Sequence, residues 1–269
     1  MLLKKGSKGN EVKALQRALH LYGFLAAGKD DGIFWNLTEN AVKEFQKSRG
    51  LTADGVVGDK TWAALFKSGD DDIGIIKGYI STHITPSKGR PIKFIAVHYT
   101  AGSSSRKGAA LNVKNVFQNS KRKASADFVV DDDTIVQTNP DLRNYYCWGV
   151  GDAKNKWTGG ARLYGVATNR NTISIEICST LRQGTSAQTP NHEGWSLSEA
   201  AVGKARRLVR HLMQQYGIPK ERVVRHYDIS GKLCPGVPGW NDGPLYDVKG
   251  KQTDSKSNSL EWEAFIRSL

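Results

Sequence analysis

The chain has 269 residues, with 39 Lys and Arg against 26 Asp and Glu, a net charge of +13 and a pI of about 9.6. Hydrophobic residues make up 39% and charged residues 24%, which supports packed cores, excludes general disorder and fibrous classes, and predicts one large domain or a medium and a small one. The basic surplus implies a polyanionic partner, whether nucleic acid, an anionic membrane face or an acidic wall polymer, and three cysteines are too few and too odd for a disulfide framework.

The opening residues MLLKKGSKGNEVKALQ carry no apolar stretch of secretory-signal length, and no later run approaches about 18 apolar residues. Synthesis in the cytoplasm without stable membrane insertion is expected. Residues 11–22 place Val12, Leu15, Leu19 and Tyr22 on one helix face, with Gly23 as a stop. A second helix is predicted from Thr38, with Ala41, Val42 and Phe45 inward. Asp31-Gly32 precedes Thr38 as Asp54-Gly55 precedes Thr61, and Thr61 opens the stretch with Trp62, Leu65 and Phe66. This internal repeat predicts two tight turns in which Gly takes positive φ and Thr caps the next helix.

The run GSKGNEVKALQRAL, followed by DGIF and by AVKEFQKSRGLTADGVVGDKTWAALF, resembles the three-helix peptidoglycan-binding domain of cell-wall hydrolases over about residues 4–66. The resemblance implies that Asp31, Gly32, Asp54 and Gly55 form the turns of a wall-binding module. Trp35 stands where that family usually has a second glycine, which predicts an altered first turn.

Residues 67–90 mix Gly, Asp, Ser and Pro without periodicity and read as a linker. From Pro91 the pattern becomes strands alternating with helices. IKFIAVHY reads as a buried strand, and FVV and TIVQ, separated by Asp131–Asp133, as a hairpin. In TISIEIC, alternation sends Ile173, Ile175 and Ile177 to one face and Ser174, Glu176 and Cys178 to the other. Ser196 with Glu199 suggests a capping box for a long helix carrying Ala201, Ala205, Leu208, Leu212 and Tyr216, ended by Gly217 and Pro219. VVRHYD reads as a further strand and residues 260–269 as a closing helix. The expected fold is α/β, a mixed central sheet flanked by helices, behind a small all-α three-helix unit.

Two histidines sit where strands run out, His98 and His226, and Cys234 follows in a Gly-Pro-rich loop. Singly, each has a plain structural reading: a core or surface histidine, a small buried hydrophobe. Together, two imidazoles and a thiolate can hold one zinc ion as three legs of a tetrahedron and leave the fourth position for catalysis. Cys147, Cys178, His20, His83, His192 and His211 lack such partners in sequence.

AVHYTAG and RHYDISGKLCPG resemble the zinc-dependent N-acetylmuramoyl-L-alanine amidase family of phage endolysins, bacterial amidases and peptidoglycan recognition proteins, over about residues 91–245. The resemblance implies that His98, His226 and Cys234 bind zinc, that Lys232 stabilises the oxyanion and that Glu176 moves the proton. It further implies peptidoglycan as partner and hydrolysis of the bond from N-acetylmuramic acid to L-alanine. Tyr99, Thr100, Trp148 and Asn171 are candidates for the substrate groove. The chain departs from the family at Ala126 and Asp127, where a histidine or tyrosine is frequent, and at Gly149, where histidine often follows the tryptophan.

A module joined to an amidase resembles a phage endolysin released through a holin and acting as a monomer. An injected antibacterial amidase and a non-catalytic wall-binding protein are the alternatives. Nucleic acid is not expected as a partner, since no base-reading helix or RNA-binding signature accompanies the charge. Basic residues outnumber acidic ones 10 to 7 in residues 1–66, 4 to 3 in 67–90 and 25 to 16 in 91–269. The surplus therefore concentrates on the catalytic part.

Overall fold

A computed structural model describes all residues except 1, 22, 27, 67–72, 103, 152–159, 183–184, 186–188 and 248; within helices it describes the backbone but not the side chains of residues 10, 14, 17, 21, 63 and 66. The chain divides into two compact units, Met1–Asp71 and Asp72–Leu269.

The first unit packs three helices, α1 (Asn10–Leu21), α2 (Asn36–Ser48) and α3 (Asp59–Phe66). Their core is the predicted stripe, Val12, Leu15, Leu19, Ala41, Val42, Phe45 and Leu65, completed by Phe34 and Val57 from the turns. Tyr22 and the side chain of Phe66, also assigned to this core from the sequence, lie outside the described residues. The two turns repeat in three dimensions, but the threonines do not cap. Helix α2 begins two residues before Thr38 and α3 two before Thr61, so both hydroxyls lie inside the first turn and meet a buried glutamine instead.

Gln16 Nε2 reaches Asp31 Oδ1 at 2.7 Å, Thr38 Oγ1 at 3.0 Å and the Ile33 carbonyl at 3.2 Å, while its Oε1 accepts from Gly32 N at 2.8 Å. Gln46 repeats this with Asp54 Oδ1 at 2.8 Å, Thr61 Oγ1 at 3.0 Å, the Val56 carbonyl at 2.9 Å and Gly55 N at 2.9 Å. Gly32 and Gly55 take φ of +79° and +74°, the left-handed conformation the turn requires. Trp35 leaves the first turn unaltered: it flanks α2 with extended backbone, and its indole is 55% exposed.

The second unit is built on a six-stranded sheet. Its strands, in chain order, are β1 (Ile75–Lys77), β3 (Phe94–Tyr99), β4 (Phe128–Val130), β5 (Ile135–Gln137), β7 (Thr172–Ile177) and β10 (Val223–Arg225); β2 (Ile84–Pro86) and β6 (Tyr145–Cys147) pair separately. The order is β1-β5-β4-β7-β3-β10, with only the β4–β5 hairpin antiparallel. Helix α4 (Ala109–Asn119) lies between β3 and β4 in sequence, and β8 (Ser179–Leu181) and β9 (Trp195–Leu197) form a hairpin before α5 (Glu199–Tyr216). Residues 75–77 and 84–86 therefore belong to sheets rather than to a linker. Three-residue strands pairing with segments some sixty residues away leave no local period to read.

The alternation in β7 decides the layering. Ile173, Ile175 and Ile177 pack with Ala201, Ala205, Leu208 and Leu212 of α5, whereas Cys178 packs with Ala109 and Ala110 of α4 on the other face. Helix α5 is capped by Ser198, whose hydroxyl accepts from Ala201 N at 3.1 Å. Ser196 lies in β9 and bonds the Thr180 hydroxyl across the hairpin, so it is not the cap. Gly217 ends the helix at φ +64°.

The strand expected over VVRHYD stops at Arg225, and α6 (His226–Ser230) follows at once. Asp228 reaches back to accept from Arg225 N at 2.9 Å and from the Arg225 guanidinium at 2.8 and 2.9 Å, which turns the chain into the helix. The short strands β11 (Pro244–Tyr246) and β12 (Gln252–Lys256) lead to the closing helix α7 (Leu260–Arg267), whose Trp262 and Phe265 pack on Trp240.

Candidate metal centre

Parallel register gathers the site at the carboxyl ends of adjacent strands, the usual place for ligands in such sheets. His98 of β3 is paired with Glu176 of β7, and Val97 with Arg225 of β10, so His226 follows beside His98. The two imidazoles meet at a centroid distance of 4.7 Å. After α6 the loop returns Cys234, held by a 2.9 Å bond from Tyr227 N to its carbonyl. Cys234 Sγ lies 3.7 Å from His98 Nδ1, and one ligand atom from each of His98, His226 and Cys234 falls within 4.8 Å of the others. All three residues are buried.

Three polar atoms here are left without protein partners. His226 Nε2 donates to the Val150 carbonyl at 2.7 Å, because a carbonyl can only accept, and so Nδ1 carries the free lone pair. His226 Nδ1, His98 Nε2 and Glu176 Oε2 are buried with no hydrogen-bond partner, and Arg206 Nε is the fourth such atom among the described residues. Buried polar groups are ordinarily paired; an unpaired His226 Nδ1 beside a buried thiol and a second buried imidazole describes a cation site.

Zinc fits it. Bonds of about 2.1 Å to nitrogen and 2.3 Å to sulfur set the two ligands about 3.6 Å apart in a tetrahedron, close to the observed sulfur-to-nitrogen distance. The donor set, two imidazoles and one thiol, is one that zinc takes.

Burial dominates the electrostatics. It lowers His226 to about 4, with the Lys232 charge adding to the shift and the Val150 bond opposing it. Burial, His226 and Lys232 hold His98 well below its ordinary value. Both rings are thus neutral and able to ligate. Burial pushes the Cys234 thiol up to about 12, with Glu176 adding and Lys232 opposing, so a cation must displace the proton to bind the thiolate. Glu176 is pushed up to about 8 by burial, against the charges of Lys232 and Arg122. Lys232 itself is exposed.

The groove candidates separate. Tyr99 points to the opposite side of β3 from His98, edge-on to Trp195 at 5.6 Å. The Thr100 hydroxyl accepts from Gly102 N and Ser179 N, both at 3.2 Å, and shapes the turn after β3. Trp148 is half-buried, its indole bonded to Thr85 Oγ1 at 2.8 Å and its ring 5.5 Å from His83.

Asn171 lies away from the His98, His226 and Cys234 cluster. Its side chain closes the capping box of the 3-10 turn Asn169–Asn171, bonding Thr168 N at 2.8 Å and the Val166 carbonyl at 2.9 Å. That turn lies at the far end of β7, about 16 Å along the strand from Glu176. Gly149 cannot carry a histidine here: a Cβ would overlap the Ser174 hydroxyl and come within 2.7 Å of Ser174 Cβ. Asp127 is spent on a buried ion pair with Arg90 at 3.1 Å and on Asn139 and Ser174 N. Sequence reasoning missed Arg122 and Val150; an exposed loop arginine and a backbone carbonyl leave no motif.

Residues 88–237, more than half of the chain, match the N-acetylmuramoyl-L-alanine amidase family model. The chain belongs to this amidase family. Residues 8–65 match the model of a peptidoglycan binding domain. The amidase CwlH of Bacillus subtilis (strain 168) is 34% identical over 168 residues, 62% of this chain and 56% of that protein. The amidase CwlL of Bacillus licheniformis is 45% identical over 169 residues, 61% of this chain and 41% of that protein. The chain spans about half the length of the curated relatives it matches. The solved catalytic domain of XlyA aligns with a TM-score of 0.48 and 23% identity, over 72% of this chain and 98% of that one. Within the amidase unit, His98, Glu176, His226 and Cys234 all fall inside the matched stretch.

Proposed function

We propose that the protein is a zinc-dependent peptidoglycan hydrolase that cuts the amide between N-acetylmuramic acid and L-alanine, with residues 1–66 holding it to the wall. The observation that carries this reading is the clustering of one ligand atom each from buried His98, His226 and Cys234 within 4.8 Å at one end of the sheet, with Glu176 paired to His98 on the next strand. His98, His226 and Cys234 would hold zinc, which when bound supplies Lewis acidity at its open fourth position. Glu176, whose carboxyl the charge of a bound cation would bring down from about 8, takes the proton of the attacking water and returns it to the leaving amine of L-alanine. Lys232, whose charge reaches every one of these groups, holds the negative charge that develops on the carbonyl oxygen.

The basic catalytic unit is drawn to the anionic wall, so sacculus binding falls steeply with added salt. An endolysin acting after a holin has opened the membrane fits a chain in which no described helix is long and apolar enough to cross one. Lysis of expressing cells only when a holin is co-expressed tests that role. Mass spectrometry of digested peptidoglycan tests the chemistry: stem peptides with a free L-alanine amine are expected, lost on chelation and in Cys234→Ala. New reducing sugar ends would instead mean a glycosidase. Sacculi that pellet with the zinc-loaded protein yet stay intact would mean a binding protein.

A further inference from the structure

The His226 ring is set by one carbonyl, and that carbonyl belongs to a residue with little stiffness of its own. Val150 has glycine on both sides, and Gly151 takes φ +60°; such a segment is held from outside or not at all. Two contacts hold it. The Val150 side chain is fully buried against Phe94, Ala96, Ala167, Val224 and Ile229. Its N–H donates to Asn169 Oδ1 at 2.8 Å.

Asn169 is itself anchored to the interior. Its carbonyl accepts from Arg90 Nη1 at 3.1 Å, and the fully buried Arg90 guanidinium is fixed by the Leu142 and Thr172 carbonyls and by Asp127. A continuous chain of bonds therefore runs from a buried ion pair through Asn169 and Val150 to His226 Nε2 at 2.7 Å. With the proton pinned on Nε2, the Nδ1 lone pair faces the cluster.

We infer that Asn169 is a positioning residue for the metal centre, fixing the tautomer and direction of His226 through the Val150 peptide. This rests on the reading of His226 as a zinc ligand. Loss of the acceptor leaves the buried Val150 N–H unpaired and frees the peptide that orients the ring. Partners of ligating histidines typically govern 10- to 100-fold in metal affinity.

The test is competition for zinc against a chromophoric chelator, on the full chain, in wild type, Asn169→Ala, Asn169→Leu and Asn169→Asp. Removing the acceptor (Ala, or Leu at similar volume) is expected to weaken zinc binding about 10- to 100-fold. Asp keeps an acceptor oxygen and is expected to bind within a few-fold of wild type. The visible spectrum of the cobalt-substituted protein should shift in Ala and Leu and be kept in Asp.

In the chelated protein, nitrogen NMR of the imidazoles should show the single Nε2–H tautomer of His226 becoming mixed in Ala and Leu. A purely structural role would lower the unfolding temperature while leaving zinc affinity, cobalt spectrum and tautomer unchanged, and that result overturns the inference. Should the alanine variant not fold, the Leu and Asp pair decides, and equal zinc affinity in the two overturns it as well. A wild type that binds no zinc would break the metal reading instead, before any variant is compared.

Discussion

The core of the first unit and the strand ends of the second treat buried polar groups in opposite ways. In the first, Gln16 and Gln46 sit in the core with both ends of the amide spent on a turn, and each buried threonine has a partner. At the strand ends of the second, three buried polar atoms have none. Saturated polar groups specify a fold; unsaturated ones, whose desolvation costs about 1–3 kcal/mol each, are retained where something else is to be bound or moved. The contrast marks the strand ends, where three such atoms lie together, as the place where something is bound.

The largest expected effect tests that contrast at Glu176. Glu176→Gln keeps the shape and removes the base, so kcat should fall about 100- to 10,000-fold, while zinc content and sacculus pelleting stay at wild-type levels. A variant hydrolysing at the wild-type rate would mean that the unpartnered oxygen has no part in the chemistry.

A smaller effect concerns acid. The ordinary histidine value is 6.5, and His226 in the fold is lowered to about 4. Between these values the unfolded chain binds the proton and the folded chain does not, so the chelated protein should lose stability as pH falls from about 6.5 to about 4, by about 3 kcal/mol from this residue. Above that window His226 contributes no pH dependence. Lowering of His98 acts in the same direction. Denaturant titrations of the chelated protein across the window measure the slope, and a flat profile would show that the rings are already charged in the fold.

What could be read in the sequence follows from range. The helix stripes and the alternation in TISIEIC depend on neighbours a few residues apart, and they place the core faces and Glu176 opposite the isoleucines. His98, His226 and Cys234 stand out because residue type, strand end and the likeness of RHYDISGKLCPG coincide. Three-residue strands at 75–77 and 84–86 depend on partners far away and read as linker. Ser196 was a better capping signal than Ser198 by its spacing to Glu199, but cross-strand pairing with Thr180 claims it. Asn171 looked available because a free asparagine and a capping one are alike until the 3-10 turn is seen. Gln16 and Gln46 do carry a sequence signal: each directly follows a core residue, Leu15 or Phe45, in the sequences VKALQ and VKEFQ.

Those glutamines offer the matching test in the first unit. Gln46→Ala removes the side chain that joins Asp54, Gly55, Val56 and Thr61, and leaves Gly55 N without its acceptor. A loss of about 3 kcal/mol is expected, seen as a lowered unfolding temperature for that unit, with zinc content unchanged. Gln16→Ala should do the same at the first turn. An effect under about 1 kcal/mol would mean that water replaces the amide and that the clasp is not what shapes the turn.

The smallest effect is expected at Trp35, where the first turn differs most from the second in sequence. Its extended backbone accepts from Glu39 N at 2.8 Å, and Gly58, the equivalent residue, accepts from Trp62 N at 2.8 Å. Gly58 has no left-handed φ, and a Cβ there would meet only Leu2 Cδ1 at 3.7 Å, an ordinary contact. Neither position needs glycine, and neither turn uses the side chain found there. Trp35→Gly should therefore change stability by no more than about 0.5 kcal/mol, as for other surface positions, and Gly58→Ala by a similar amount. If Trp35→Gly instead cost as much as Gln16→Ala in the same thermal unfolding assay, the first turn would rest on its indole, and the two turns would be alike in hydrogen bonding but not in what holds them.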